Sequence, residues 1–231
     1  SAAGQWEIVQ AGAAELIAPG RYRLTRLLRG QRGTEHAMGN PAPAGAHVVA
    51  GGLPAAEITF RTNAAEEAIR VLRRELPEML VGAGTVLTVD NVKRAVDAGA
   101  TFMVSPGFNP RVVDYCVENG ISVVPGVNSP TQIEMGLERG LDVLKFFPAE
   151  ASGGIKLLKA MAAPYSGVTF VPTGGINANN LLAYLALEEV LACGGTWIAE
   201  TKAISAGRFD EITRLTREAV ELIAARESIG A

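Results

Sequence analysis

Charged side chains interrupt two apolar stretches of this chain that otherwise have the composition of buried β-strands. In the first, Ala55–Arg61, successive residues of a strand point to opposite faces. This puts Glu57, Thr59 and Arg61 on one face and apolar residues on the other. In the second, Val143–Pro148, the single charged residue is Lys145. Because lysine is rarely buried without a partner, we expect the two stretches to meet. Glu57, Arg61 and Lys145 are therefore the first candidates for a functional site.

Two chemical interpretations of Lys145 are open on these residues alone. The structural one is a buried ion pair between Lys145 and Glu57 that helps to close the fold. The functional one is an amine whose pKa is lowered by burial and by nearby Arg61, so that it attacks a carbonyl and forms a Schiff base. These residues and Thr85 lie near the carboxyl ends of apolar runs, where parallel barrels carry their catalytic groups. That position favours the functional interpretation.

Two glycine pairs follow the last two apolar runs, in Thr173-Gly174-Gly175 and in Gly194-Gly195-Thr196. Paired glycines allow close approach to the backbone, and amides at the start of a following helix attract anions. Tight turns also use them for steric reasons alone. The loops after the last two strands of a parallel barrel commonly bind phosphate, which favours an anion site. Since no Lys or Arg adjoins either pair, we expect backbone amides to hold the anion.

A repeated pattern of apolar run, turn and amphipathic stretch must position these residues. It predicts strands at 55–61, 79–85, 101–106, 122–127, 143–148, 169–173 and 190–193. It also predicts helices that begin at a capping residue and end at a glycine. These run from Thr88 to Gly99, from Asn109 to Gly120 and from Ser129 to Gly140.

Such alternation implies a parallel sheet covered by helices, either open and doubly wound or closed as a barrel. The chain has no GxGxxG or GxxxxGK[ST] motif, which favours an α/β fold of the (β/α)8 TIM barrel type in a single domain. Seven strands are visible from Ala55 onward, so an earlier segment must supply the eighth. We predict this strand at Arg21–Leu28, where apolar and polar residues alternate, with one helix between it and Glu57.

The N-terminal part differs in composition from the remainder. Residues 1–50 contain no Lys, Asp, Cys or Phe and carry a formal charge of +2, against -5 for the other residues. An ordinary flexible extension, an Arg-rich targeting segment and sequence foreign to the natural reading frame are all open. We favour the first or the last. We therefore predict an atypical N-terminal segment over 1–47 and a barrel over 48–231.

Composition also argues against several classes of protein. A net charge of -3 without a basic block argues against nucleic-acid binding. The longest uncharged stretch, His36–Ala56, is interrupted by prolines and argues against a membrane segment, while Glu7 and Glu15 do not fit a secretory signal. Both histidines lie in the first 50 residues, which argues against histidine chemistry elsewhere. Cys116 and Cys193 are distant and without CxxC spacing, as expected of core thiols in a reducing cytoplasm.

Six motifs, in order, resemble those of the 2-keto-3-deoxy-6-phosphogluconate (KDPG) aldolases, some of which also act on 4-hydroxy-2-oxoglutarate (KHG). They are EITFRT from Glu57, VGAGTV from Val81, VSPG from Val104, VPGV from Val124, LKFFPAE from Leu144 and PTGGI from Pro172. The resemblance extends from about Val48 to Val220. It implies a homotrimeric class I aldolase barrel of cytoplasmic carbohydrate metabolism, in the Entner–Doudoroff pathway. It also implies a keto-acid phosphate substrate and no metal or other cofactor.

The resemblance assigns roles to individual residues. Lys145 would be the Schiff-base lysine and Glu57 the general acid/base acting through water. Four residues would bind the substrate, the first two at its pyruvyl carboxylate: Arg61, Thr85, Pro106 and Thr173. Four would bind its phosphate: Gly174, Gly175, Gly195 and Thr196. The family often has Ser where this chain has Thr196, which keeps the hydroxyl and adds a methyl group.

The leading hypothesis is therefore cleavage of KDPG to pyruvate and glyceraldehyde 3-phosphate. Enzyme alternatives are aldolases for 4-hydroxy-2-oxoglutarate or for 2-keto-3-deoxy-6-phosphogalactonate, which the need for a phosphate helps to distinguish. An alternative of another class is a non-catalytic trimeric barrel scaffold with a replaced first strand.

Overall fold

The computed structural model describes residues 5–18, 21–31, 52–53 and 55–229. The strands are β1 Gln5–Ala18, β2 Arg21–Gln31, β3 Ala55–Thr59, β4 Leu80–Gly84, β5 Phe102–Val104, β6 Ser122–Val124, β7 Gly126–Val127, β8 Val143–Phe146, β9 Thr169–Phe170, β10 Thr173–Ile176 and β11 Ala192–Gly195. The helices are α1 Ala65–Glu75, α2 Val89–Asp97, α3 Pro110–Glu118, α4 Pro130–Leu137, α5 Ala149–Ser152, α6 Gly154–Ala162, α7 Leu181–Leu185, α8 Thr201–Ser205 and α9 Phe209–Ile229, with a 3₁₀ turn at Trp197–Ala199. The predicted alternation of strands and helices after residue 55 is confirmed.

The strands follow one another around a ring. Strands β3 to β6 pair in parallel in chain order, and so do β7 to β9 and then β10 with β11. Strand β6 continues into β7 across Pro125, and β9 continues into β10 across residues 171–172, so the two hydrogen-bonded sheets join. Strand β11 then pairs with β2, β2 with β1 and β1 with β3, which completes the ring. The predicted barrel fold is confirmed, and the carboxyl ends of its parallel strands meet at one end.

The three helices with predicted bounds begin directly after their capping residues and end shortly before their terminal glycines. The Thr88 hydroxyl accepts a hydrogen bond from the Asn91 amide at 3.1 Å, at the start of α2. The Asn109 side chain accepts one from the Arg111 amide at 3.2 Å, at the start of α3. Past the end of α2, Gly99 has a φ of +99°, which favours glycine. These local signals fix the length of each βα unit and so the place where each strand ends.

Alternation along the strands separates two apolar layers. The barrel interior holds a small cluster that includes Ala55, Val104 and Val171, with Val143 packed against it. The larger cluster lies between strands and helices and includes Ile58 and Leu144. Glu57 and Lys145 are two residues along the chain from Ala55 and Val143, so they share the interior face. Both charged side chains are buried there.

The N-terminal strand differs from our expectation. Strand β2 includes the predicted Arg21–Leu28 and pairs in parallel with β11, with Leu28 opposite Cys193. However, the expectation of one closing strand is wrong, because the 14-residue strand β1 lies between β2 and β3 and is antiparallel to both.

The physical reason is the two-residue connection between β1 and β2, which suits an antiparallel hairpin but is too short for a parallel crossover. The helix expected between this strand and Glu57 would fall mainly in residues 32–51, which lie outside the described residues. Among the described helices, none is long and apolar enough to cross a membrane.

Candidate active site

Strand β3 carries Glu57 into the barrel interior, where the residue is fully buried. A Cβ atom on Gly84, in the neighbouring strand, would lie 1.7 Å from Glu57 Oε1. The carboxylate therefore occupies the space that any side chain at position 84 would need. Sequence reasoning did not single out Gly84, although a glycine inside a strand often marks such a close approach.

Arg61 and Thr85 meet just beyond the ends of β3 and β4. Arg61 is exposed, and its Nε donates a hydrogen bond to Thr85 Oγ1 at 3.4 Å. Thr85 has a φ of +54°, which is strained for a β-branched residue. Backbone hydrogen bonds on both sides hold it there, from the Phe60 amide to the Gly84 carbonyl at 2.7 Å and from the Val86 amide to the Val104 carbonyl at 3.0 Å. Such overdetermined strain is typical of functional sites.

Lys145 lies at the same end of the barrel and has only 1% of its surface exposed. Its amide donates to the Pro125 carbonyl at 2.9 Å, and its Nζ lies 5.0 Å from the centre of the Phe147 ring. In the ladder between β7 and β8, Lys145 pairs with Gly126. A Cβ atom on Gly126 would lie 2.2 Å from the Pro106 carbonyl oxygen, so Pro106, Gly126 and Lys145 are neighbours across three strand ends.

The two glycine turns lie side by side beyond Lys145. Thr173 pairs with Gly194 and Ile176 with Gly195 in the ladder between β10 and β11. Gly174 and Gly175 have φ values of +98° and +85°, a conformation that glycine adopts without strain. A Cβ atom on Gly174 would lie 3.3 Å from both the Phe147 ring and Pro148 Cα.

Neighbouring side chains shape these turns. The Gly175 carbonyl accepts hydrogen bonds from Asn177 Nδ2 at 3.2 Å and Asn180 Nδ2 at 3.1 Å. A Cβ atom on Gly195 would lie 1.6 Å from the Trp197 ring, so the indole packs directly on the turn that leads to Thr196. Sequence reasoning missed both asparagines. Their position just after a Gly-Gly turn was the available signal, because Asn side chains often form hydrogen bonds to the backbone of a turn.

Both cysteines are free and buried, as predicted for core thiols. Burial raises the pKa of the Cys116 thiol to about 11 and raises that of Cys193, beside the second glycine turn, still further. Both thiols therefore stay protonated near neutral pH and are poor nucleophiles. Within the part of the chain that the structure describes, no three His, Cys, Asp or Glu side chains come together as a metal site.

A buried lysine and a buried glutamate thus lie at one end of the barrel, and an exposed arginine and two glycine turns lie at the same end. Comparison with known proteins identifies the family. The family model described as KDPG and KHG aldolase matches residues 36–215, and this chain belongs to that family. A second model, described as Rcc01698-like, C-terminal, matches residues 1–49.

Individual relatives agree with this assignment. A 2-dehydro-3-deoxy-phosphogluconate aldolase of Treponema pallidum (strain Nichols) is 49% identical over 176 residues, which cover 76% of this chain and 84% of that protein. The KHG/KDPG aldolase of Escherichia coli (strain K12) is 45% identical over 187 residues, 81% of this chain and 86% of that one. The crystal structure of a Legionella pneumophila KDPG aldolase, with pyruvate captured at low pH as a covalent carbinolamine intermediate, has a TM-score of 0.75 at 39% identity. That match covers 77% of this chain and 86% of the other.

Proposed function

We propose that this protein cleaves KDPG to pyruvate and glyceraldehyde 3-phosphate through a Schiff base on Lys145. The observation that carries the proposal is an almost fully buried lysine on the interior face of the barrel, at the end where this fold performs catalysis. Formation of a Schiff base requires an amine within reach of the ketone, in a site that excludes bulk water. The pyruvate carbinolamine of the Legionella relative supports the same chemistry.

The proposed reaction balances without a cofactor. Lys145 Nζ attacks the C2 ketone to give a carbinolamine, and loss of water gives a protonated imine. The imine withdraws electrons from the C3–C4 bond while Glu57, through a water molecule, removes the proton of the C4 hydroxyl group. The C3–C4 bond then breaks and releases glyceraldehyde 3-phosphate. The remaining enamine takes a proton at C3, and hydrolysis of the new imine releases pyruvate and the free amine.

We assign substrate contacts from the positions of the side chains around Lys145. Arg61 and Thr85 would bind the pyruvyl carboxylate, because their mutual hydrogen bond puts a cation and a hydroxyl group at one strand end. Pro106 and Thr173 would line the carbon chain of the substrate. Pro106 follows strand β5 and lies close to Lys145, and Thr173 begins strand β10 beside the first glycine turn. The phosphate would be held by four residues of these turns: Gly174, Gly175, Gly195 and Thr196.

A second substrate, 4-hydroxy-2-oxoglutarate, is favoured by the joint KHG/KDPG name of the E. coli relative. We propose it as a weaker substrate, because its chain ends in a carboxylate at C5 and has no phosphate to bind at the glycine turns. The galactonate analogue of KDPG differs in stereochemistry at C4, the carbon whose hydroxyl group Glu57 would deprotonate. The non-catalytic scaffold is the alternative that measurable turnover would exclude.

Our proposal also covers the oligomeric state of the protein, its cellular compartment and the division of its chain into segments. We propose a homotrimer in the cytoplasm, acting in the Entner–Doudoroff pathway; the two buried free thiols agree with a reducing compartment. We also propose an atypical N-terminal segment over 1–47, which supplies strands β1 and β2, and a class I aldolase part over 48–231. The Rcc01698-like match to residues 1–49 supports that division, although the aldolase family model begins earlier, at residue 36. Light scattering of the full chain would test the trimer.

Pyruvate release from the three substrates, coupled to lactate dehydrogenase, tests the proposed function. We expect the highest kcat/KM with KDPG, a lower value with 4-hydroxy-2-oxoglutarate and the lowest with the galactonate analogue. Equal values with the first two would contradict a phosphate site at the glycine turns. No pyruvate from any of them would support the scaffold.

A further inference from the structure

A tyrosine and a glutamate form a hydrogen-bonded pair directly behind the first glycine turn. Tyr184, on α7, is fully buried, and its hydroxyl donates to Glu150 Oε1 on α5. Burial, followed by the bond to Glu150, raises the pKa of Tyr184 well above its usual range. The hydroxyl is therefore a permanent donor near neutral pH. Neither residue entered the sequence-based list of site residues.

The stem of Glu150, rather than its carboxylate, contacts the turn. A Cβ atom on Gly175 would lie 2.6 Å from both Cβ and Cγ of Glu150. The carboxylate instead lies near Gly154, where a Cβ atom would be 3.1 Å from Glu150 Oε1 and 3.3 Å from the Tyr184 hydroxyl. The bond to Tyr184 thus holds the Glu150 side chain with its methylene groups on the turn and its charged end elsewhere.

This orientation of Glu150 matters because the turn would bind the negatively charged phosphate group of the substrate. Glu150 is exposed, so its side chain has room to adopt other rotamers once the bond to Tyr184 is removed. A carboxylate that rotates toward Gly175 would repel a phosphate and would compete with it for the backbone amides. On the other side of the turn, Asn177 and Asn180 already fix the Gly175 carbonyl. Of these three side chains around the turn, Glu150 is therefore the one that can change its rotamer.

We propose that Tyr184 is a positioning residue that keeps the Glu150 carboxylate turned away from the Gly174–Gly175 turn and so sets the affinity for the phosphate group of the substrate. The inference rests on the proposed function, because it assumes that the phosphate binds at this turn. It adds a determinant of specificity that touches neither the reacting carbons nor the phosphate. Because the proposed effect depends on the charge of Glu150, removing that charge distinguishes it from a purely structural role of Tyr184.

Four variants of the full chain test it. Tyr184→Phe should raise KM for KDPG by about tenfold, the scale of one like charge brought close to the phosphate near the protein surface, with kcat within about twofold of wild type. Glu150→Gln should leave KM unchanged, because the amide oxygen still accepts the bond and carries no charge. The double variant should have a lower KM than Tyr184→Phe alone. Tyr165→Phe is the matched control, since Tyr165 donates to Glu134 at 2.9 Å outside the site.

A second reaction separates positioning from general damage. Exchange of the pyruvate methyl protons with deuterium needs imine formation but no phosphate, so Tyr184→Phe should exchange at the wild-type rate. An unchanged KM in Tyr184→Phe, a double variant no better than the single one, or an equal loss of exchange would each overturn the inference. If wild type itself does not prefer KDPG to 4-hydroxy-2-oxoglutarate, the proposed function fails and the inference with it. A preference that is as large in Tyr184→Phe as in wild type overturns the inference alone.

Discussion

Replacing Gly84 with alanine places a methyl group where the Glu57 carboxylate lies. The new Cβ atom would be 1.7 Å from Oε1, 2.5 Å from Cδ and 2.7 Å from Cγ. Since packed atoms stay about 3.5 Å apart, the carboxylate must move by roughly 1.5 Å or more. A misplacement of about 1 Å can cost about 10²-fold, and general acid/base catalysis contributes roughly 10²- to 10⁴-fold in total. We therefore expect kcat to fall by about 10²- to 10³-fold.

The assay is the coupled release of pyruvate from KDPG, with thermal unfolding measured in parallel. Gly107→Ala is the matched control, because a Cβ atom at that position would have no atom within 4 Å beyond its own residue and its two chain neighbours. Its kcat should stay within about twofold of wild type. In a Glu57→Ala background, Gly84→Ala should cost almost nothing further, because the displaced carboxylate is gone. A loss in that background as large as in wild type would refute the reasoning, and so would a normal kcat in the single variant.

Three other variants or measurements test the remaining assignments. Lys145→Arg should abolish imine formation and retain the fold, because a guanidinium stays protonated; near-wild-type cleavage by this variant would remove Lys145 from the mechanism. Glu57→Gln should still trap pyruvate yet turn over roughly 10²- to 10⁴-fold more slowly, and a normal turnover number would remove Glu57. In NMR titrations with inorganic phosphate, the amides of Gly174, Gly175 and Gly195–Thr196 should shift most. A phosphate or sulfate held mainly by Arg side chains in a crystal structure would contradict that site.

The barrel was predictable because its local signals agree with one another. Apolar runs of strand length, capping residues such as Thr88 and terminal glycines such as Gly99 recur with nearly the same spacing, and each is decided within a few residues. The closure at the N-terminus depends on contacts between distant segments instead. Strand β1 has no clear alternation, and only the Pro19-Gly20 turn dipeptide indicated a hairpin. The prediction therefore found β2 and missed its partner.

The candidate site was predictable where a residue type is unusual for its place. A lysine inside an apolar strand, and a glutamate facing the same interior, are visible in the sequence because burial of a charge is rare. Contacts between separate elements are not visible in that way. Gly84 has the weak signal of a glycine inside a strand, but the carboxylate beside it comes from another strand. Glu150 and Tyr184 are 34 residues apart in the sequence, and no local pattern connects them.

The central claim is that Lys145 forms an imine with the keto-acid. Sodium borohydride added in the presence of pyruvate reduces such an imine to a stable secondary amine, which intact mass and peptide mass spectrometry detect. We expect one reduced pyruvyl adduct per chain, located on Lys145, and none in Lys145→Arg or without pyruvate. An unmodified wild-type chain, or an adduct on another lysine, would contradict the account.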